Sequence, residues 1–400
     1  MSVANDERAL WIRKEVLPSV EKALEKYNEE STSYSWQMSS PKAAFYASSV
    51  YFVHGTLGDK QIDLVIKTPP IVAELRALIN CDDLFHNEIV FYRKFVRYYE
   101  NIPKCIYASN EPLCNAVIAV ENIEKRGFKI VPGSRLNLEY VLAAMKELGR
   151  FHARGYILKE SQPEQYFEIL KNLRQGGSDE NHQRFFESIE YFIKRVIGMY
   201  GLRVNNDPAY WKKMESDLGR IIKRASETST VYDDSIAVLC HGDFTKNNVL
   251  FKRTGDRIEA TLIDFAQVKH SSPAIDVSTL LYVSTFKKDR TERFDDIFKA
   301  YHDALLGYLR DDHNFAIDLK KYSLETFKED YHKHMAHGMF IASYFLPAMC
   351  AKRKISIMDY FLNEREIYYD MLIESNEDTL FEEIIELLIQ INEIYNLNPF

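Results

Sequence analysis

The pattern of apolar and polar positions divides the chain into a strand-rich first third and a helical remainder. Residues Asp6 to Asn28 carry apolar positions at helical spacing, and Pro18 predicts an interruption there. Short alternating runs follow at Ser33–Met38, Phe45–Val53 and Gln61–Lys67, with His54-Gly55-Thr56-Leu57-Gly58-Asp59 joining the last two, an antiparallel sheet signal. In the third run a period of two places Ile62, Leu64 and Ile66 on one face and Asp63, Val65 and Lys67 on the other. After Pro69-Pro70, Val72–Ile79 and Asp83–Glu100 read as helices, and Lys104–Ser109 and Ala116–Glu121 as two more strands. The last of these is nearly continuous in apolar residues and so reads as central and buried.

From the connection Asn122 to Phe128 onwards, helices dominate. The segment Leu138 to Arg154 has a clean apolar stripe, with His152 late on it as a packed histidine. Helices are predicted at His182–Tyr200, Ala209–Ala225, Val277–Val283, Arg290–Leu309, Leu319–Cys350, Ile355–Ile373 and Thr379–Tyr395. The expected organisation is α+β in two lobes, residues 1–122 with the sheet and residues 123–400 with the helices.

One stretch of the helical part breaks the pattern. Apolar Ile236 to Cys240 delivers the turn His241-Gly242-Asp243, and a second apolar run, Val249 to Phe251, follows. Asp243 and Asn248 stand five apart, the spacing phosphotransferases use between a catalytic Asp and a metal-binding Asn. Thr254-Gly255-Asp256 predicts a hairpin turn, after which Ile263-Asp264-Phe265 supplies a second carboxylate at a strand end. Two carboxylates and an amide at linked strand ends suit a Mg²⁺-phosphate site with a base beside it. Lys67, ending its strand with Val65 two before it, suits contact with nucleotide phosphates and adenine, and Glu88 is placed to reach back towards it. Each residue also has an ordinary reading, as a turn residue or a solvated surface charge.

Composition narrows the classes further. A chain of 400 residues has room for two cores, and a net charge of −8 argues against wholesale binding to nucleic acid. Its five cysteines show no metal or disulfide spacing, which suits a reducing, cytoplasmic setting. Met1 to Arg8 is polar and does not read as a signal peptide, and Gly338–Cys350 is too short to span a membrane. His332, His334 and His337 fall on one predicted helix, but only the last two share a face and nothing completes a metal site.

Taken together, the motifs resemble those of the protein-kinase-like fold, and within it the small-molecule branch of aminoglycoside and choline phosphotransferases. The chain is most similar to the ecdysteroid kinase-like family. The resemblance rests on Val65-Ile66-Lys67, Asn87-Glu88, Val120-Glu121-Asn122-Ile123, Gly149-Arg150-Phe151-His152, Cys240-His241-Gly242-Asp243 with Asn248, Ile263-Asp264-Phe265 and Ser272-Pro273-Ala274-Ile275-Asp276. It departs from the family pattern at Thr245, where a Trp is usual, at Ala266, where Gln is usual, and in the glycine-free loop between Ser39 and Ser49.

The resemblance implies ATP and Mg²⁺ as cofactors and a small-molecule alcohol as substrate, a steroid such as an ecdysteroid or another hydroxylated metabolite. It gives Asp243 the catalytic role, Asn248 and Asp264 the metal, and Lys67, Glu88, Val65, Glu121, Asn122 and Ile123 the nucleotide. His241 and Asp276 support the loop, and the acceptor pocket is expected around Met335–Met349. A nucleotide-binding pseudokinase, a choline- or aminoglycoside-type kinase and a structural helical protein are the other readings.

Overall fold

The computed structural model describes residues 2–25, 34–39, 48–57, 60–70, 72–99, 101–110, 115–174, 179–227, 236–311, 318–353, 355, 359 and 364–397. The predicted nucleotide loop falls largely outside these residues. The chain divides into two compact units. The first is Met1–Lys129 with Lys171–Gly176 and Thr261–Gln267; the second is Ile130–Leu170, Gly177–Ala260 and Val268–Phe400.

The first unit is built on a five-stranded antiparallel sheet of β1 (Ser35–Ser39), β2 (Ser49–Leu57), β3 (Lys60–Thr68), β4 (Cys105–Ser109) and β5 (Val117–Glu121). Its order is β1-β2-β3-β5-β4, so β3, which carries Lys67, is central. The period-two alternation holds: Leu64 and Ile66 are buried with Tyr51, Val53, Val117 and Ala119 under the N-terminal helical segment. That segment runs as α1 (Ser2–Trp11), a π-helical turn (Ile12–Val16) and α2 (Leu17–Glu25), and contributes Ile12, Val16, Leu17, Val20 and Leu24 to the core.

The break expected at Pro18 does not occur. Proline removes a donor and crowds the preceding turn. Here the chain absorbs this by widening one turn, with the Leu17 N–H donated to the Ile12 carbonyl, and the helix continues. Trp36 on β1 then donates its indole N–H to Glu21 on α2 at 2.6 Å, which ties helix to sheet. After β3 come α3 (Ala73–Leu78) and α4 (Cys81–Val90), the latter continuing through further helical turns to Tyr98.

In the second unit α5 (Leu138–Ser161) is longer than its sequence stripe suggests and leads to α6 (Pro163–Leu170), α7 (Asp179–Val204) and α8 (Pro208–Glu227). The strand β6 (Val238–Cys240) and the hairpin of β7 (Val249–Thr254) and β8 (Arg257–Leu262) follow, and Gly255 supplies the positive φ of the turn. At the end of β8 the chain enters the first unit, at Thr261, and returns at Val268, just before β9 (Lys269–Ser271) pairs antiparallel with β6.

Every residue of α9 (Ala274–Ser284) is buried, so it forms the axis of the helical core. The helix expected over Arg290–Leu309 is two, α10 (Lys287–Glu292) and α11 (Phe294–Asp311); the one expected over Leu319–Cys350 is α12 (Leu324–His334) and α13 (Ala336–Cys350). The last elements are α14 (Arg365–Glu374) and α15 (Asp378–Leu397). Among the described residues no helix is long and apolar enough to cross a membrane.

Candidate active site

The first unit assembles one group of candidate residues around Lys67. Its ammonium donates to Glu88 Oε2 at 2.6 Å and to Asp264 Oδ1 at 2.8 Å. Strand β3 aims Lys67 off the face opposite the α1–α2 core, and α4 brings Glu88, 4 % exposed, over the same face. Burial pulls the Lys67 ammonium down, but Asp264 and Glu88 together outweigh it and hold the lysine firmly protonated. Burial pushes the Glu88 carboxyl up, and the neighbouring Asp264 adds to this against the pull of Lys67. Asp264 has φ of +65°, a left-handed backbone that few side chains other than Asn and Asp accept readily. It is held by Phe265, whose ring stacks on Phe91 at 3.9 Å between centroids and meets Tyr92 edge-on at 5.9 Å.

The contact between Lys67 and Asp264 has no signal in the sequence, where the two are assigned to different ligands. Neither has the reciprocal pair made by Asn87. Its amide donates to the Arg174 carbonyl and accepts the Arg174 N–H, both at 2.8 Å, so residues 171–174 are pinned beside the helix that carries Glu88.

The predicted adenine segment is partly committed to the sheet. Glu121 N–H goes to the Lys104 carbonyl and Asn122 N–H to the Asp63 carbonyl, each at 2.8 Å. Ile123 opens a 3₁₀ turn, whose first N–H has no acceptor within the helix. Val65 sits beside Val120 in the β3–β5 ladder.

The second unit assembles the other group. Strand β6 ends at Cys240, Gly242 takes φ of +82°, and Asp243 follows. The Asn248 amide nitrogen donates to the Asp243 backbone carbonyl at 2.8 Å and to its carboxylate at 2.9 Å. The five-residue spacing therefore places side chain against side chain through one 3₁₀ turn, Lys246–Asn248.

Behind the loop lies Asp276, at the start of α9 and 1 % exposed. It accepts the backbone N–H of His241 at 2.7 Å and of Gly242 at 2.9 Å. His152 Nε2 meets the same carboxylate at 3.1 Å, and its Nδ1 meets the Tyr301 hydroxyl at 2.8 Å. Burial raises the Asp276 carboxyl, but these partners outweigh it and leave the group lowered. His241 turns its own Nδ1 to accept the Asp243 N–H at 3.3 Å.

His152, Cys240 and Asp276 are the one group with metal-ligand spacing among the described residues. Their hydrogen bonds are those of the loop clamp, with both His152 nitrogens occupied. His334 meets Asp330 at 2.9 Å, and among the described residues no metal cluster forms from His332, His334 and His337.

The segment Met335–Met349 is mostly core. Gly338 touches the α9 backbone, and Met339, Phe340, Ala342 and Leu346 are buried. A cavity of about 270 Å³ lies beside α9, lined by Tyr282, Arg290, Tyr331 and Met335 among others. It falls below the usual range of about 300–1,000 Å³ for small-molecule sites, so it is not assigned to the acceptor.

The family model of the ecdysteroid kinase-like family matches residues 42–312, about two thirds of the chain. Among solved structures, the chain is similar to APH(2″)-IIIa in complex with GDP and kanamycin. The identity is 13 %, the TM-score 0.42, and the match covers 94 % of this chain and 98 % of that one. An ethanolamine kinase of Plasmodium vivax is 12 % identical, with a TM-score of 0.38 and coverage of 86 % and 82 %. Spectinomycin phosphotransferase APH(9)-Ia, in complex with ADP and spectinomycin, is 12 % identical, with a TM-score of 0.40 and coverage of 90 % and 93 %. No curated protein sequence matches. With the family model spanning Lys67 through the whole Asp243–Asp276 segment, the chain belongs to the ecdysteroid kinase-like family and is a small-molecule phosphotransferase of that kind.

Proposed function

We propose that the protein is a Mg²⁺- and ATP-dependent kinase that phosphorylates a hydroxyl of a small-molecule alcohol, with a steroid alcohol of the ecdysteroid kind as the first candidate on family grounds. The observation that carries this reading is the pairing of Asp243 with Asn248 on a loop clamped by Asp276, in a chain that also builds the Lys67–Glu88–Asp264 group.

In this reading Lys67 holds the α and β phosphates and Glu88 keeps its ammonium in place. Val65 packs against adenine, and the Glu121–Ile123 backbone borders it. Asp243 orients the acceptor hydroxyl and takes its proton as the oxygen attacks the γ-phosphorus. His241 and Asp276 position that carboxylate. Asn248 and Asp264 would hold Mg²⁺. The donor chemistry fits: the Asn248 amide nitrogen is spent on Asp243, which leaves its oxygen for a cation, and the Asp264 carboxylate is 37 % exposed. Oxygen donors of this kind are what Mg²⁺ takes, and when bound it neutralises charge on the phosphates.

The test separates binding from chemistry. Asp264→Asn should reduce the thermal stabilisation given by Mg·ATP. Asp243→Asn should keep it and lower turnover by about 10²–10⁴. If Asp243→Asn transfers phosphate as fast as the parent, the catalytic assignment is wrong. If the parent is not stabilised by millimolar Mg·ATP, the kinase reading fails altogether.

A further inference from the structure

Three lysines bear on the two candidate groups, and they differ in what holds them. Lys67 is taken by two carboxylates. Lys246 reaches the Asn247 side-chain oxygen at 3.4 Å. The Lys269 side chain makes no hydrogen bond or ion pair with any described residue, although it is only partly exposed.

Its place in the fold is fixed by the β6–β9 ladder, whose register sets Lys269 directly across from Cys240. It therefore stands beside the strand end that leads into His241-Gly242-Asp243. The carboxylates of Asp276 and Asp243 are within electrostatic reach. Burial pulls the ammonium down, and Cys240, Asp276 and Asp243 together do not offset it. Asp276 is not available to pair with it, since its two oxygens serve His241, Gly242 and His152. The Asp243 carboxylate is engaged by Asn248. The neighbouring His337 is pushed down to about 3 by burial, so it stays neutral and brings no competing charge. A partly buried ammonium whose charged form is disfavoured, and which has no partner among the described residues, marks a functional-site candidate that a ligand's negative charge would complete.

Building on the kinase reading above, we propose that Lys269 is a further catalytic residue, whose ammonium donates to a non-bridging oxygen of the phosphoryl group as it passes to the acceptor at Asp243. The acceptor oxygen forms the new bond to phosphorus with its own electron pair. The bond from phosphorus to the β,γ-bridging oxygen breaks, and its pair leaves with ADP. The acceptor proton goes to the Asp243 carboxylate. Lys269 gives up no proton; it stabilises charge on the group in transit.

The probe is fluoroaluminate, which stands in for a phosphoryl group between donor and acceptor. Parent protein is melted with Mg·ADP alone and with Mg·ADP plus fluoroaluminate, and ATP turnover with water as acceptor is followed in parallel. The second addition should raise the melting point further. Lys269→Met should keep the Mg·ADP shift, lose most of the fluoroaluminate increment and turn ATP over about 10²–10³-fold more slowly. Lys269→Arg should recover part of both. A Lys269→Met protein with turnover within twofold of the parent, or with the full increment, overturns the proposal. So does loss of the Mg·ADP shift in both variants, which marks a structural lysine. Failure of the underlying kinase reading looks different: the parent itself shows no shift with Mg·ADP or Mg·ATP.

Discussion

Asp276→Asn tests the clamp behind the His241–Asp243 loop, and its cost follows from the hydrogen bonds it disturbs. The carboxylate is 1 % exposed and accepts two backbone N–H groups, at 2.7 Å and 2.9 Å, besides meeting His152. A hydrogen bond to a charged acceptor contributes about 1.5–3 kcal/mol, and a stranded buried donor costs about 1–3 kcal/mol. Asparagine keeps the volume but turns one oxygen into an N–H donor that faces another donor. One charged bond is lost and one donor is stranded, about 2.5–6 kcal/mol together. In a unit of roughly 260 residues each kcal/mol moves the midpoint by about 2–4 °C, so the variant should melt at least about 5 °C lower.

The effect of pH on that difference follows from the sign of the shift. Burial raises the Asp276 carboxyl, yet the His152 contact, His241 and the Gly242 N–H outweigh it and lower it overall. A carboxyl depressed in the folded state contributes stability that is fully present above its unfolded value, about 3.9, and is lost as pH falls through the folded one. The gap between parent and variant should therefore hold from about pH 8 to about pH 5 and narrow below about pH 4. Calorimetric or fluorescence melts across this range read it directly. A variant melting within about 1 °C of the parent at neutral pH would falsify the account of the clamp.

Lys67→Met and Glu88→Gln should weaken Mg·ATP stabilisation non-additively, with a coupling of about 0.5–3 kcal/mol; a double-mutant cycle closing to zero would show that the 2.6 Å pair is not functional. Gly338→Ala should cost about 1–3 kcal/mol or more, because a Cβ there would lie 2.2 Å from the Ser278 carbonyl carbon in a backbone that cannot yield. Gly198→Ala on α7, with nothing within 4 Å, is the control: it should be neutral or slightly stabilising, and equal losses at both sites would refute the packing argument. Burial also pushes His337 down to about 3 and His270 down to about 4. The unfolded chain takes up protons below about 6.5 while the folded one does not, so stability should fall as pH drops from there. His337→Gln should flatten part of that slope, and an unchanged slope would show that His337 is not responsible.

What could be read in the sequence were features whose signal is local. The alternation in Gln61–Lys67 separates core from site because a strand has period two, and Leu64 and Ile66 are indeed buried. The apolar run at Val277–Val283 is a fully buried helix. What escaped was tertiary. Lys67 and Asp264 are 197 residues apart, and no periodicity links them. Asn87 and Arg174 meet across 87 residues. Strands β6 and β9 have three residues each, too short to show a pattern, yet their pairing is what places Lys269. At Pro18 the rule that proline breaks helices lost to a core that holds Val16, Leu17 and Val20 on both sides of it.

The cost of Asp264 shows how the first unit holds its own group of candidate residues. A left-handed backbone at a non-glycine residue is unfavourable by about 1–2 kcal/mol, and only Asn80 shares this state among the described residues outside glycine. Two interactions offset it. The ion pair with Lys67 is partly screened, since the Asp264 side chain is 37 % exposed, and so contributes modestly. The stack of Phe265 on Phe91 is fully buried, and aromatic pairs contribute about 0.5–1.5 kcal/mol beyond the area they bury. The apolar neighbour and the ion pair, of similar size, together offset the strain and keep the aspartate in place.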